Sequence, residues 1–206
     1  MEKGRIGFEL RGIANELKNR LLAVPIYQRS YAWGKDEISE YWGDLRGAFS
    51  DSAPEYFLGT IVLTSQTSPP RDTIIDGQQR LATTSILLAA IRDEWASRGD
   101  ARRAGIIQNE FLSAPDLTSA TDVPRLTLNS EDAHFFERRI INGETSLAPN
   151  RPSHDLILQA SQYFRREIKK VADDAGPDWA KRLGQWVEFL KTQVKSIVLE
   201  VPTDTD

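Results

Sequence analysis

The chain has no cysteine, one methionine and two histidines in 206 residues. Without cysteine there are no disulfides, no thiolate metal sites and no thiol nucleophile. His134 and His154 stand apart in sequence and cannot by themselves form a three-histidine zinc site. No apolar run approaches the ~18 residues that a membrane-spanning helix needs. The opening "MEKGRIGFELRG" also lacks the apolar centre of a secretory signal. Positive charge is not in excess: Lys and Arg number 26 against 30 Asp and Glu, a net charge of −4. Nucleic acid is therefore not held by bulk charge, although a local basic patch stays open. What remains is a globular chain with 40% apolar and 27% charged residues, not bound to membranes and expected in the cytoplasm.

Periodicity sketches the elements. "FELRGIANELKNR" places Leu10, Ile13 and Leu17 at helical spacing and predicts a short amphipathic helix. Residues 21–24 predict a short strand, which Pro25 ends or confines to an edge. Ile38, Tyr41, Trp42, Leu45 and Phe49 share one helical face. "EYFLGTIVLTS" and "DTIIDG" predict a hairpin through the turn "QTSPPR". A long helix follows from Gln78 to about Arg98. The second half predicts helices in "ARRAGIIQNEFL", in "SEDAHFFERRIING" with Ser130 as N-cap and Gly143 as stop, and on either side of Gly176-Pro177. "PRLTLN" reads as a strand or an extended link, and "SIVLEVP" as a closing strand. The fold class is α+β: a small mixed sheet packed with a mainly helical C-terminal half. Residues 1–100 carry the motifs, and 101–206 form a helical region of the same domain. The ending "TDTD", directly after a strand, is what a piece of a longer protein would show.

Three stretches carry candidate chemistry. In "IIDGQQRLATTSILL", Gly77 sits where a strand must turn into a helix. The first N–H groups of that helix, at Gln78 to Arg80, lack partners within it and with the helix dipole suit an anion. Arg80 adds a fork-shaped cation matched to phosphate. Asp76 is placed to hold a metal or orient a water, and Gln78, Gln79, Thr83 and Thr84 are further polar candidates. The bland alternative is a helix start capped by Asp76 with Arg80 on the surface. The stretch is not a Walker A loop, which needs a glycine-rich run followed by Lys and Ser or Thr. In "VPIYQRSYAW", the residues Tyr27, Gln28, Arg29, Tyr31 and Trp33 mix aromatics with a cation, as surfaces that stack bases do. Strand alternation would put Tyr27, Arg29 and Tyr31 on one face, while plain core packing is the alternative. Gly59 in "YFLGTIVL" marks a bulge, a close ligand approach or a glycine under a packed helix.

Residues 24–33, 56–63 and 74–88, in this order and at this spacing, resemble the signature of the GmrSD-type N-terminal domain family, with its I-P-x-Y-Q-R-x-Y-x-W and DGQQR motifs. The likeness extends through "PRLTLNSEDAHFFERRI" and the two terminal helices. It implies a ParB/sulfiredoxin-like nucleotide-binding fold that hydrolyses nucleoside triphosphates, with Mg²⁺ as cofactor. Such domains serve modification-dependent restriction and anti-phage proteins, including the phosphorothioate-sensing SspE type. By this resemblance Asp76, Gln79 and Arg80 are catalytic, with Asp76 also a candidate Mg²⁺ ligand. Gly77, Gln78, Arg80 and Thr83 bind the nucleotide, and Tyr27, Gln28, Arg29, Tyr31 and Trp33 line the pocket or sense modified DNA. The implied partners are modified DNA and a C-terminal nuclease domain or partner subunit, with a homo-oligomer left open. The rival expectation is a non-catalytic reader of modified DNA. Two departures stand out. Ala82 occupies a position where the family usually has Thr, and the family's later F-E-x-L-N-x-x-G segment lies past Asp206, so the pocket is expected to be partial.

Overall fold

A computed structural model describes residues 7–64 and 71–201. The closing "TDTD" and most of the turn expected between the hairpin strands lie outside the described residues. The fold is α+β, with a six-stranded mixed sheet in the order β1-β8-β3-β4-β2-β7. The strands are β1 (Gly7–Gly12), β2 (Leu22–Ala23), β3 (Tyr56–Thr64), β4 (Asp72–Asp76), β7 (Leu126–Thr127) and β8 (Val194–Val201). β3 and β4 form the expected antiparallel pair, and β8 runs parallel to β3. β8 is therefore inserted between β1 and β3, so both halves of the chain build one sheet. A separate two-stranded sheet pairs β5 (Ser113–Asp116) with β6 (Thr121–Pro124); the sequence reading missed it.

The expected first helix is corrected. Residues Gly7–Gly12 pair with β8 through Leu10 opposite Ile197, and only Ile13–Asn19 form a helix, α1. Ile13 and Leu17 are buried as helical spacing demands, while Leu10 faces outward from the strand. The short strand at residues 22–23 lies between β4 and β7, so Pro25 ends a strand that is not at an edge. The expected N-cap at Ser130 is also corrected. Helix α5 (Ala133–Phe136) starts after Asp132, whose N–H is taken by Asn129 Oδ1 at 3.1 Å. Gly143 follows the wide π-type turn that ends this helix, with φ of +71°.

Helix α3 (Gln78–Ser97) is the centre of the domain. Nearly every side chain from Leu81 to Ile91 is buried, as expected of a helix apolar on all sides. It packs against α1, α4 (Ala101–Ile107), α6 (Pro152–Asp174) and α7 (Trp179–Thr192). The predicted face of α2 (Lys35–Ser50) is buried through Ile38, Tyr41, Trp42 and Leu45. Trp42 stacks on Trp186 at 4.8 Å, and Phe49 stacks on the same Trp186 ring at 4.3 Å. Offset aromatic pairs of this kind add about 0.5–1.5 kcal/mol each beyond area burial. The fully buried Glu16 pairs with Arg20 at 3.0 Å, and Arg20 reaches Asp72 at 2.6 Å and also Glu200. This network ties α1 to β4 and β8. No described helix is long and apolar enough to cross a membrane.

The sheet has two unlike faces. Ile61, Leu63, Ile74, Val194 and Val198 are buried under the helices, whereas Phe8, at 74% exposed, points to solvent. Ile61→Ala should therefore cost about 2–5 kcal/mol in urea unfolding, and Phe8→Thr no more than about 0.5 kcal/mol. Equal losses at the two positions would contradict this assignment of faces.

Candidate functional site

At the junction of β4 and α3, Gly77 adopts φ of +96°, and no side chain caps the helix that starts at Gln78. A Cβ on Gly77 would lie 3.0 Å from Ile61 Cγ1 and 3.3 Å from the Thr60 carbonyl, so the turn needs glycine on two counts. The Asp76 carboxylate does not cap the helix. It is 66% exposed and stands 3.4 Å from Arg80 Nη2. The N–H groups of Gln78, Gln79 and Arg80 thus keep the unpaired character of a helix start.

Arg80 does not trail into solvent. Its guanidinium lies over Gly59, where a Cβ would come within 2.7 Å of Nη1. Nη2 donates to the Thr60 carbonyl, while Nε is buried without a partner among the described residues. Gly59, with φ of +115° at a register shift in β3, makes the room that Arg80 occupies. The bulge and the packed helix offered as alternatives at Gly59 are one feature.

The glutamines behave differently from expectation. Gln79 Oε1 accepts the Ala32 N–H at 2.9 Å, and its Nε2 donates to the Ser30 carbonyl at 3.2 Å. Gln78 Nε2 donates to the Arg29 carbonyl at 3.2 Å, leaving Oε1 buried and unpartnered among the described residues. Gln28 Nε2 donates back to the Ile75 carbonyl at 3.0 Å. Side-chain amides therefore clamp the loop of residues 25–34 onto the mouth of α3. Both polar atoms of Gln79, a residue expected to be catalytic, are engaged with backbone, so its side chain holds the loop in place.

Tyr31 and Thr83 are likewise drawn inside. The Tyr31 hydroxyl meets Thr83 Oγ1 at 2.9 Å, and Tyr41 meets Thr84 Oγ1 at 2.9 Å. Burial pushes both phenols far above the ordinary tyrosine range. Thr83 is fully buried and does not line the cleft described below, and Tyr31 is buried whereas Tyr27 and Arg29 are exposed. Two anchors were not found from sequence. Asp132 Oδ2 accepts the Tyr31 N–H at 2.7 Å while its Oδ1 takes the Ser153 hydroxyl at 2.5 Å, and Asn129 donates to the Gln28 carbonyl at 3.0 Å. The polar run "LNSED" was the available signal. His154 stacks on Phe135 at 4.0 Å beneath this network, a structural role.

Together these residues frame a cleft of about 200 Å³, lined by Gln28, Arg29, Trp33, Ile75 and every residue from Asp76 to Arg80. Its charged lining residues are Arg29, Arg80 and Asp76. No group of three or more His, Cys, Asp or Glu among the described residues is placed to hold a metal. Glu37 caps α2 through the Gly34 N–H at 2.9 Å, and Asp44 takes the Tyr56 hydroxyl at 2.9 Å. Mg²⁺ commonly uses one or two carboxylates together with substrate phosphates and water. Asp76 is the one carboxylate that the cleft could offer such an ion.

The fold is an α+β domain in which an uncapped helix start opens onto a cleft. The chain belongs to the GmrSD restriction endonuclease N-terminal domain family, whose sequence model matches residues 10–206. Membership places it in a restriction or defence setting. A comparison with curated proteins finds no match.

Gln79→Leu keeps the bulk but strands the Ala32 N–H and the Ser30 carbonyl. It should cost about 1–3 kcal/mol and speed amide exchange at Ala32 in the folded state. Unchanged exchange at Ala32 would refute the clamp.

Proposed function

We propose that this domain binds and hydrolyses nucleoside triphosphates as the regulatory part of a DNA-modification-dependent restriction or anti-phage protein, with a nuclease domain or subunit as its effector. The observation that carries the reading is the convergence of uncapped helix N–H groups with Arg80 and Arg29 in one cleft. The clamp strengthens it: Gln78 and Gln79 are withdrawn into structure, and what they leave facing the cleft is backbone N–H and guanidinium. A triphosphate seated there meets N–H donors at the positive end of the α3 dipole. Arg80, fixed by Thr60 and by Gly59's missing side chain, presents remaining donors to the charge that grows on the transferring phosphoryl group. Asp76 accepts a hydrogen bond from the attacking water and is the residue that would share Mg²⁺, which supplies charge neutralisation when bound. The water oxygen bonds to the γ-phosphorus as the bond to the bridging oxygen breaks, giving a nucleoside diphosphate and inorganic phosphate. Gly77 and Gln78 shape the site. Thr83 and Tyr31 support it from below.

A second reading rests on Tyr27. It is 73% exposed beside the exposed Arg29 at the cleft rim, a pairing suited to modified DNA such as a phosphorothioated strand. This reader needs no hydrolysis, and it loses the Tyr31 contact first expected of it.

Phosphate release from each nucleoside triphosphate with Mg²⁺ separates the two. Arg80→Ala should lower kcat/KM by roughly 10²–10³, and Asp76→Asn should lower kcat. Background release from wild type, together with tight binding of modified but not plain DNA that is lost in Tyr27→Ala, would overturn hydrolysis in favour of the reader.

A further inference from the structure

A second cavity, also about 200 Å³, lies between the start of α2 and the middle of α6, lined by Trp33, Gly34, Lys35 and Ile38 on one side and Gln159, Gln162, Tyr163 and Arg166 among those on the other. Trp33 lines this groove and the Asp76–Arg80 cleft alike. Small-molecule pockets are usually ~300–1,000 Å³, so neither cavity alone suits a nucleotide, and Trp33 is the lining residue the two share.

The groove's chemistry differs from that of the cleft. Trp33 and Tyr163 provide aromatic faces. Trp33 is held by Tyr41, whose ring centroid is 5.7 Å away and whose hydroxyl is bonded to Thr84 on α3. That wall is therefore fixed before any ligand arrives. Arg166 sits over the Tyr163 ring at 5.8 Å. Gln159 and Gln162, at i and i+3 on one face of α6, are exposed, and neither amide has a protein hydrogen bond among the described residues. A primary amide offers a donor and an acceptor side by side, the pattern that pairs with a base edge. Stacking of a base on an aromatic ring is worth about 1–3 kcal/mol.

We infer that the α2–α6 groove is the nucleobase subsite of the same ligand, with Trp33 and Tyr163 stacking the base and Gln159 and Gln162 reading its edge, while the phosphates occupy the cleft at α3. This rests on the triphosphate reading of that cleft and adds where base selectivity resides. The site would then select among nucleotides by α6, an element remote in sequence from the residues that hold phosphate.

The test compares inorganic tripolyphosphate with the four common ribonucleoside triphosphates by calorimetric titration, on wild type and on Gln159→Ala/Gln162→Ala. Both substitutions lie on the exposed side of a helix, where Ala is favoured, and thermal melting checks that the fold is kept. Wild type should bind at least one nucleotide about tenfold or more tighter than tripolyphosphate. The double variant should lose that margin and flatten the ranking among nucleotides, with tripolyphosphate affinity unchanged. Equal affinity for nucleotide and tripolyphosphate in wild type, or an unaltered ranking in the variant, overturns the base subsite while leaving the phosphate cleft standing. Failure of tripolyphosphate and nucleotides alike to bind overturns the phosphate reading, and this inference with it.

Discussion

The site depends on a side-chain amide clamp. Gln79 gives and takes one hydrogen bond with the backbone of Ser30 and Ala32, and Gln78 adds a third to Arg29. An amide can do this because it carries a donor and an acceptor with no charge to desolvate. A carboxylate at either position would lose the donor and place a charge in a buried setting. The clamp fixes the loop that carries Arg29 and Trp33 against the helix that carries Arg80, and so sets the width of the cleft between them.

The clamp is supported from both sides. Beneath it, Tyr31 and Tyr41 place their hydroxyls on Thr83 and Thr84, one turn into α3. These threonines are buried polar groups whose bonds are satisfied by the elements they join, the arrangement in which burial of a hydroxyl is tolerated. Across the loop, Asp132 and Asn129 take the Tyr31 N–H and hold the Gln28 carbonyl. The loop has little regular structure of its own, yet its backbone groups are bonded by side chains from α3 and from the start of α5. A loop held in this way presents its exposed residues, Tyr27 and Arg29, on a rigid support.

Much of this was legible in the sequence, and the limits have physical causes. The hairpin, the central helix and the glycine turn at residue 77 show because period and turn chemistry are local signals. β1 was read as helix because Leu10, Ile13 and Leu17 satisfy helical spacing. The strand is set by pairing with β8 at the far end of the chain, which no local pattern reports. The β5–β6 hairpin carries Pro115 and Pro124 and lacks apolar alternation, so nothing marked it. Within the cleft, the residue types in the Asp76–Arg80 run do not reveal which side chains face outward and which bond the loop. A glutamine facing a ligand and one facing a backbone carbonyl look the same in sequence. Thr83 and Tyr31, expected to bind the nucleotide and to line the pocket, are buried and bonded to each other beneath the loop.

In the proposed function the mouth of α3 is a phosphate site shaped by the clamp. A crystal structure of the domain with a non-hydrolysable triphosphate analogue and Mg²⁺ tests it most directly. Phosphate oxygens should lie within hydrogen-bond distance of the Gln78, Gln79 and Arg80 N–H groups and of the Arg80 guanidinium, with the amides of Gln78 and Gln79 still bonded to the loop. A triphosphate bound elsewhere, or one contacted by the Gln79 side chain after release of Ser30 and Ala32, would contradict it.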